Sequence, residues 1–132
     1  MTVKIYNSGF RGNCDVEDQD QINFTSWFDY QYPHYSPLYF HVVNESMMSV
    51  QGRVKAKRKG LKKGVSDIII LLKRGKFSGL IIELKRKDST KNKASKEQLE
   101  FLDEVDEQDF YCAICYGLDE AKKCVQEYLT IK

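Results

Sequence analysis

Two short apolar runs, Ile68 to Leu72 and Leu80 to Ile82, lie on either side of a basic turn, Lys73-Arg74-Gly75-Lys76. No other feature limits the fold of this 132-residue chain so tightly. Brief β-branched runs bounded by glycine-containing turns favour strands over helices. Ser66-Asp67 opens the first run, and the second continues into Glu83-Leu84-Lys85. Side chains alternate across a strand, so Glu83 and Lys85 share a face. If the strands pair as a hairpin, Asp67 at the start of one meets Glu83 at the end of the other. Two acids and a lysine then converge at one end of an apolar sheet.

Carboxylates held together repel, and a shared divalent cation offsets that repulsion. All-oxygen donors suit Mg²⁺ or Mn²⁺ better than zinc. A lysine on the same face can hold a phosphate or orient a water. The same three residues also fit a plainer arrangement, with Asp67 capping a strand and Glu83 and Lys85 as a solvated pair near an edge.

Charge distribution favours the first arrangement. The net charge is only +2, yet residues 53–96 carry +13 and the remainder −11. A positive face of that size around an acidic site suits a polyanion. Lys57, Arg58, Lys59, Lys62, Lys63 and Lys87 are the candidate phosphate contacts, giving affinity and salt dependence without base preference. No base-reading motif accompanies them.

The remaining chain supplies the scaffold. Residues 1–15 show little periodicity and fit an edge strand, an arm or a tail. Glu17 to Tyr32 reads as a helix with Asp15 as N-cap and its strongest apolar stripe through Ile22. Glu17 and Gln21 share a face. Glu17 also suits the positive end of the helix dipole, and Asp18 and Asp20 offer other registers for an acid. Pro33 and Pro37 enclose a turn before a strand from Leu38 to Val43, ending at Asn44-Glu45. His41 in that strand fits a general base, a metal ligand or a surface residue. Met47 to Gly64, rich in lysine, reads as a short helix or a mobile loop. Arg86 to Lys93 is a basic loop. Ser95 and Gln98 then match a capping box, heading a helix whose stripe is Leu99, Leu102 and Val105. A last strand from Phe110 to Tyr116 and a helix from Leu118 to Leu129 close the chain.

Cys112 and Cys115 form a C-x-x-C, but residues three apart on a strand point to opposite faces, and no second pair exists. The four cysteines read as reduced intracellular thiols. At this length one domain, residues 1–132, is expected. With no apolar run long enough to span a membrane and no signal-peptide pattern, a cytoplasmic protein is expected.

An Asp about fifteen residues before an E-x-K, each on its own apolar strand, resembles the PD-(D/E)xK nuclease motif. More closely, GVSDIIILL, GLIIELK, ASKEQLEFL and CYGLDEA resemble the VRR-NUC family of virus-type replication-repair nucleases, from about Glu17 to the C-terminus. Ser66 stands where the PD-(D/E)xK superfamily usually has proline, and Val43 where the VRR-NUC family usually has one. The resemblance implies an α/β, restriction-endonuclease-like fold with an αβββαβ core and a mixed sheet flanked by helices. It implies that Asp67, Glu83, Glu17 and the Leu84 carbonyl bind Mg²⁺ or Mn²⁺. Lys85 would position the nucleophile or hold a phosphate oxygen, and Asn44 would reach the substrate. Gln98 would contact substrate or water, a role that competes with its capping duty.

Stand-alone members of the family resemble Holliday-junction resolvases and act as homodimers. The expected activity is therefore metal-dependent cleavage of DNA, with a four-way junction as substrate and a homodimer as the active species. A flap, single-strand or restriction-type nuclease, or a non-catalytic DNA-binding module of the same fold, would leave much the same sequence.

Overall fold

Every residue of the strand Leu80–Lys85 is buried, because it lies at the centre of a sheet covered on both faces. The computed structural model describes residues 3–42 and 48–132. The elements run β1 (Lys4–Tyr6), α1 (Glu17–Gln31), a 3₁₀ turn (Ser36–Leu38), β2 (Tyr39–His41), α2 (Val50–Arg58), β3 (Ile68–Ile70), β4 (Leu80–Lys85), α3 (Lys96–Asp106), β5 (Tyr111–Tyr116) and α4 (Leu118–Leu129). Five strands form one mixed sheet in the order β1-β5-β4-β3-β2. β2, β3 and β4 pair antiparallel, while β5 runs parallel to both β4 and β1. The α/β sandwich and the αβββαβ core agree with the sequence, and β1 adds an edge strand from the segment that showed no periodicity.

Alternation along the strands sorts the core into two layers. Leu80, Ile82 and Leu84 join Ala113 and Cys115 beneath α1 and α4, which contribute Phe24, Phe28, Ala121, Val125 and Tyr128. Ile81, Cys112 and Ile114 face α3 through Leu102. Cys112 and Cys115 thus occupy different layers, and all four cysteines are free thiols.

Several local expectations change. Val16 is the N-cap of α1 and its side chain caps nothing; Glu17, Asp18 and Asp20 meet the positive end of the helix instead of Asp15. Ile22 is 59% exposed, because α1 packs through Asp20, Phe24 and Phe28. Leu99 is 44% exposed, leaving Leu102 to anchor α3 with Val105 packed beside it. The lysine-rich segment forms the helix α2, capped by the Ser49 hydroxyl, which accepts from the Gly52 N–H at 3.0 Å. No helix of the described residues is long and apolar enough to cross a membrane.

Candidate active site

Asp67 immediately precedes β3, and the antiparallel register with β4 decides what it meets. One step beyond the paired residues Ile68 and Ile82, the register sets Asp67 opposite Glu83. The Leu84 N–H donates to Asp67 Oδ2 at 2.9 Å. Behind Asp67, its carbonyl accepts from His41 Nδ1 at 2.9 Å and from the Val42 N–H at 3.1 Å. His41 therefore supports the backbone of Asp67. The carbonyl of Leu84 points to the same edge of β4 as its N–H, as backbone groups of one strand residue do.

Glu83 is fully buried and Lys85 is 4% exposed, both on the α3 face of β4. Burying such a pair costs about several kcal/mol per ion after relaxation. Leu80, Ile82 and Leu84 on the opposite face each contribute roughly 1.5–3 kcal/mol by burial, so the apolar strand can hold the polar pair in place.

Gln98, one turn into α3, completes the cluster. Its Oε1 accepts from the Ser95 N–H at 2.8 Å and from Lys85 Nζ at 3.0 Å, and its Nε2 donates to Glu83 Oε2 at 3.1 Å. The Ser95 hydroxyl returns the cap, accepting from the Gln98 N–H at 3.2 Å. The capping amide thus also bridges Lys85 and Glu83. A flipped amide would set NH₂ against two donors, so three partners fix its orientation. Lys85 Nζ also lies 3.7 Å from Glu83 Oε2.

Glu17, the first residue of α1, brings the third carboxylate. One ligating atom from each of Glu17, Asp67 and Glu83 falls within 4.8 Å of the others. Asn92 Nδ2 donates to Glu17 Oε2 at 2.8 Å. Of the other two registers, Asp18 is exposed, and Asp20 instead lines a separate cavity of about 480 Å³ with Asp15, Lys87 and Asp119. Burial first, then the charge of Asp67, pushes Glu17 up to about 7. The same two causes, in the same order, push Glu83 far above the ordinary carboxylate range.

These carboxylates fit a hard divalent cation. Each commits one oxygen to a protein donor: Asp67 to Leu84, Glu17 to Asn92 and Glu83 to Gln98. Glu83 Oε1 is buried with no hydrogen-bond partner. An oxygen so placed takes either a proton or a cation.

The candidate phosphate contacts are spread over several elements. Lys57 and Arg58 end α2, and Lys59 is its C-cap. Lys62 and Lys63 follow in the loop to β3, with Lys63 Nζ 3.6 Å from Glu97 Oε1. That loop lies against α3 at Gly64 (φ +87°), where a Cβ would sit 2.7 Å from the Glu97 backbone. Lys87 Nζ lies 4.5 Å from the centre of the Phe10 ring and lines the cavity beside Asp20. Asn44 lies outside the described residues.

A family model for the VRR-NUC domain matches residues 17–119. The chain belongs to the VRR-NUC family. The match begins at Glu17 and takes in every residue of the carboxylate cluster. A solved structure described as a VRR_NUC domain protein superposes with a TM-score of 0.77 at 24% identity, covering 91% of this chain and 93% of its own. No curated relative matches. The VRR-NUC fold is of nuclease type, and that relationship makes nuclease activity and DNA the reference for the site. Asn92 escaped the sequence reading: an asparagine in a polar loop carries no signal until its partner is known. Ser66, in the place usual for proline, is fully buried and its hydroxyl has no partner.

Proposed function

We propose that this VRR-NUC domain is a Mg²⁺- or Mn²⁺-dependent DNA endonuclease that hydrolyses phosphodiester bonds. The observation that carries the proposal is the convergence of Glu17, Asp67 and Glu83, with Glu83 Oε1 buried and unpartnered and its Oε2 3.7 Å from Lys85 Nζ. Paired acids beside a lysine have no use in a module that only binds DNA. Glu17, Asp67 and Glu83, with the Leu84 carbonyl at the same strand end, would hold the cation. When bound, a divalent cation acidifies water and offsets charge on phosphoryl oxygens.

The chain's own groups do the remaining work. Gln98 holds Lys85 Nζ and Glu83 Oε2 in fixed relation. Lys85 has further N–H donors to offer to a phosphate oxygen or to the attacking water. The lysines of α2 and the following loop draw in the phosphate backbone.

The preferred substrate in this reading is a four-way junction and the active species a homodimer. Two symmetric cuts need two active sites related by a twofold axis. Val50 and Val54, one turn apart on α2, are 64% and 55% exposed and offer apolar surface to a second copy. The test is cleavage of labelled four-way junction, flap, single-stranded and linear duplex DNA with Mg²⁺, Mn²⁺ or EDTA. Metal-dependent cutting that favours the junction supports the full reading. Equal cutting of linear duplex removes the junction preference but keeps the nuclease. Metal-independent binding without cleavage of any substrate overturns both.

A further inference from the structure

Three donors hold the three carboxylates, and they differ in where they come from. Leu84 offers a main-chain N–H inside the sheet, and Gln98 a side chain fixed by a helix cap. Asn92 alone comes from irregular chain, the loop between β4 and α3. That loop is nonetheless built. Asp88, 3% exposed, accepts from the Thr90 hydroxyl at 2.6 Å, from the Thr90 N–H at 3.0 Å and from the Gly12 N–H at 2.9 Å. The Lys91 N–H donates to the Asp88 carbonyl at 3.0 Å, and Asn92 follows directly. A knotted turn, tied to the N-terminal arm, thus delivers one amide to Glu17.

We infer that Asn92 is the positioning residue for Glu17, holding Oε2 so that the other carboxylate oxygen is presented to a divalent cation. The inference rests on the cation site proposed above. The chemistry favours an amide in this place. A lysine or arginine would pair with Glu17 and repel the incoming cation, whereas a neutral donor orients the carboxylate and leaves its charge available. Glu17 needs such a partner because it sits at the first turn of α1, where no side-chain cap fixes the helix end. Groups that orient metal ligands typically change metal affinity by about 10–100-fold when removed.

The test is calorimetric titration of Mn²⁺ alone into the full chain, comparing wild type with Asn92→Ala, Asn92→Gln, Glu17→Ala and the double variant Asn92→Ala/Glu17→Ala. Thermal unfolding of each checks that it folds. The expected result is an Mn²⁺ affinity at least about 10-fold weaker in Asn92→Ala, recovered in part by Asn92→Gln, which keeps the donor. Loss of Asn92 should cost nothing further once Glu17 is alanine, which a merely structural residue would not show. Wild-type affinity in Asn92→Ala, while Glu17→Ala is weakened, overturns the role of Asn92 and leaves the cation site standing. Additive losses in the double variant also overturn it. No Mn²⁺ binding by the folded wild type overturns the cation site and this inference together.

Discussion

Glu83 is a carboxyl group in the wrong solvent. It is fully buried, Asp67 is its neighbour, and one oxygen has no donor. Without a cation its pKa is raised, first by burial and then by Asp67. The folded state therefore keeps a proton that the unfolded chain has lost, and stability falls as pH climbs above the ordinary value of 4.5. Glu83→Gln removes the acid but keeps the shape, and its new amide can donate to Asp67. In EDTA at pH 8 we expect that variant to be more stable by about 1–3 kcal/mol in chemical denaturation, with a flatter pH profile and no cleavage. Glu17, at about 7 for the same reasons, gives a second pH signature. A cation needs the deprotonated form, so Mn²⁺ affinity should rise from pH 6 to pH 8 with release of protons. Titrations in buffers of different ionisation enthalpy measure that release; affinity constant across this range would contradict it.

At the scale of elements, α3 joins structure to chemistry. Gln98 caps the helix and bridges Lys85 to Glu83, so Gln98→Ala should weaken both. We expect a loss of about 1 kcal/mol of stability from the cap and at least about a tenfold fall in cleavage rate from the loosened site. Circular dichroism with single-turnover kinetics separates the two, and a variant with lower stability but unchanged rate would show that the bridge is idle.

The elements also show what the sequence disclosed. β4 and α4 were legible to the residue, because an apolar run, a helical stripe and a glycine boundary act locally. The convergence of Asp67 with Glu83 was legible because a hairpin register is arithmetic. Ile22 misled because α1 packs through Phe24 and Phe28, and the first buried position of that face is an acid, Asp20. The sequence leaves β1 open among an edge strand, an arm and a tail, because its three residues pair parallel with β5 across more than a hundred positions of chain and only the tertiary fold brings them together. Asn92 was hidden for the same reason.

The whole molecule carries its charge asymmetrically, with +13 concentrated in residues 53–96, the segment that also holds Asp67 and Glu83. Cations on α2 and the loop after it should bind phosphates without reading bases. Neutralising Lys59, Lys62 and Lys63 to glutamine should weaken binding to every DNA alike. The salt dependence should become shallower too, by about 0.9 in log–log slope for each duplex phosphate that no longer meets a lysine. A filter-binding series from low to moderate salt checks this; an effect confined to one sequence would contradict it. The most direct test of the account remains the chemistry itself. Wild type and Asp67→Asn are compared on labelled four-way junction DNA, each with Mg²⁺ and with EDTA, and binding is measured in parallel. The account predicts cleavage by wild type in Mg²⁺ alone, at least about 10²-fold slower in Asp67→Asn, with DNA binding retained by both. Equal cleavage by the two proteins, or cleavage that persists in EDTA, would contradict it.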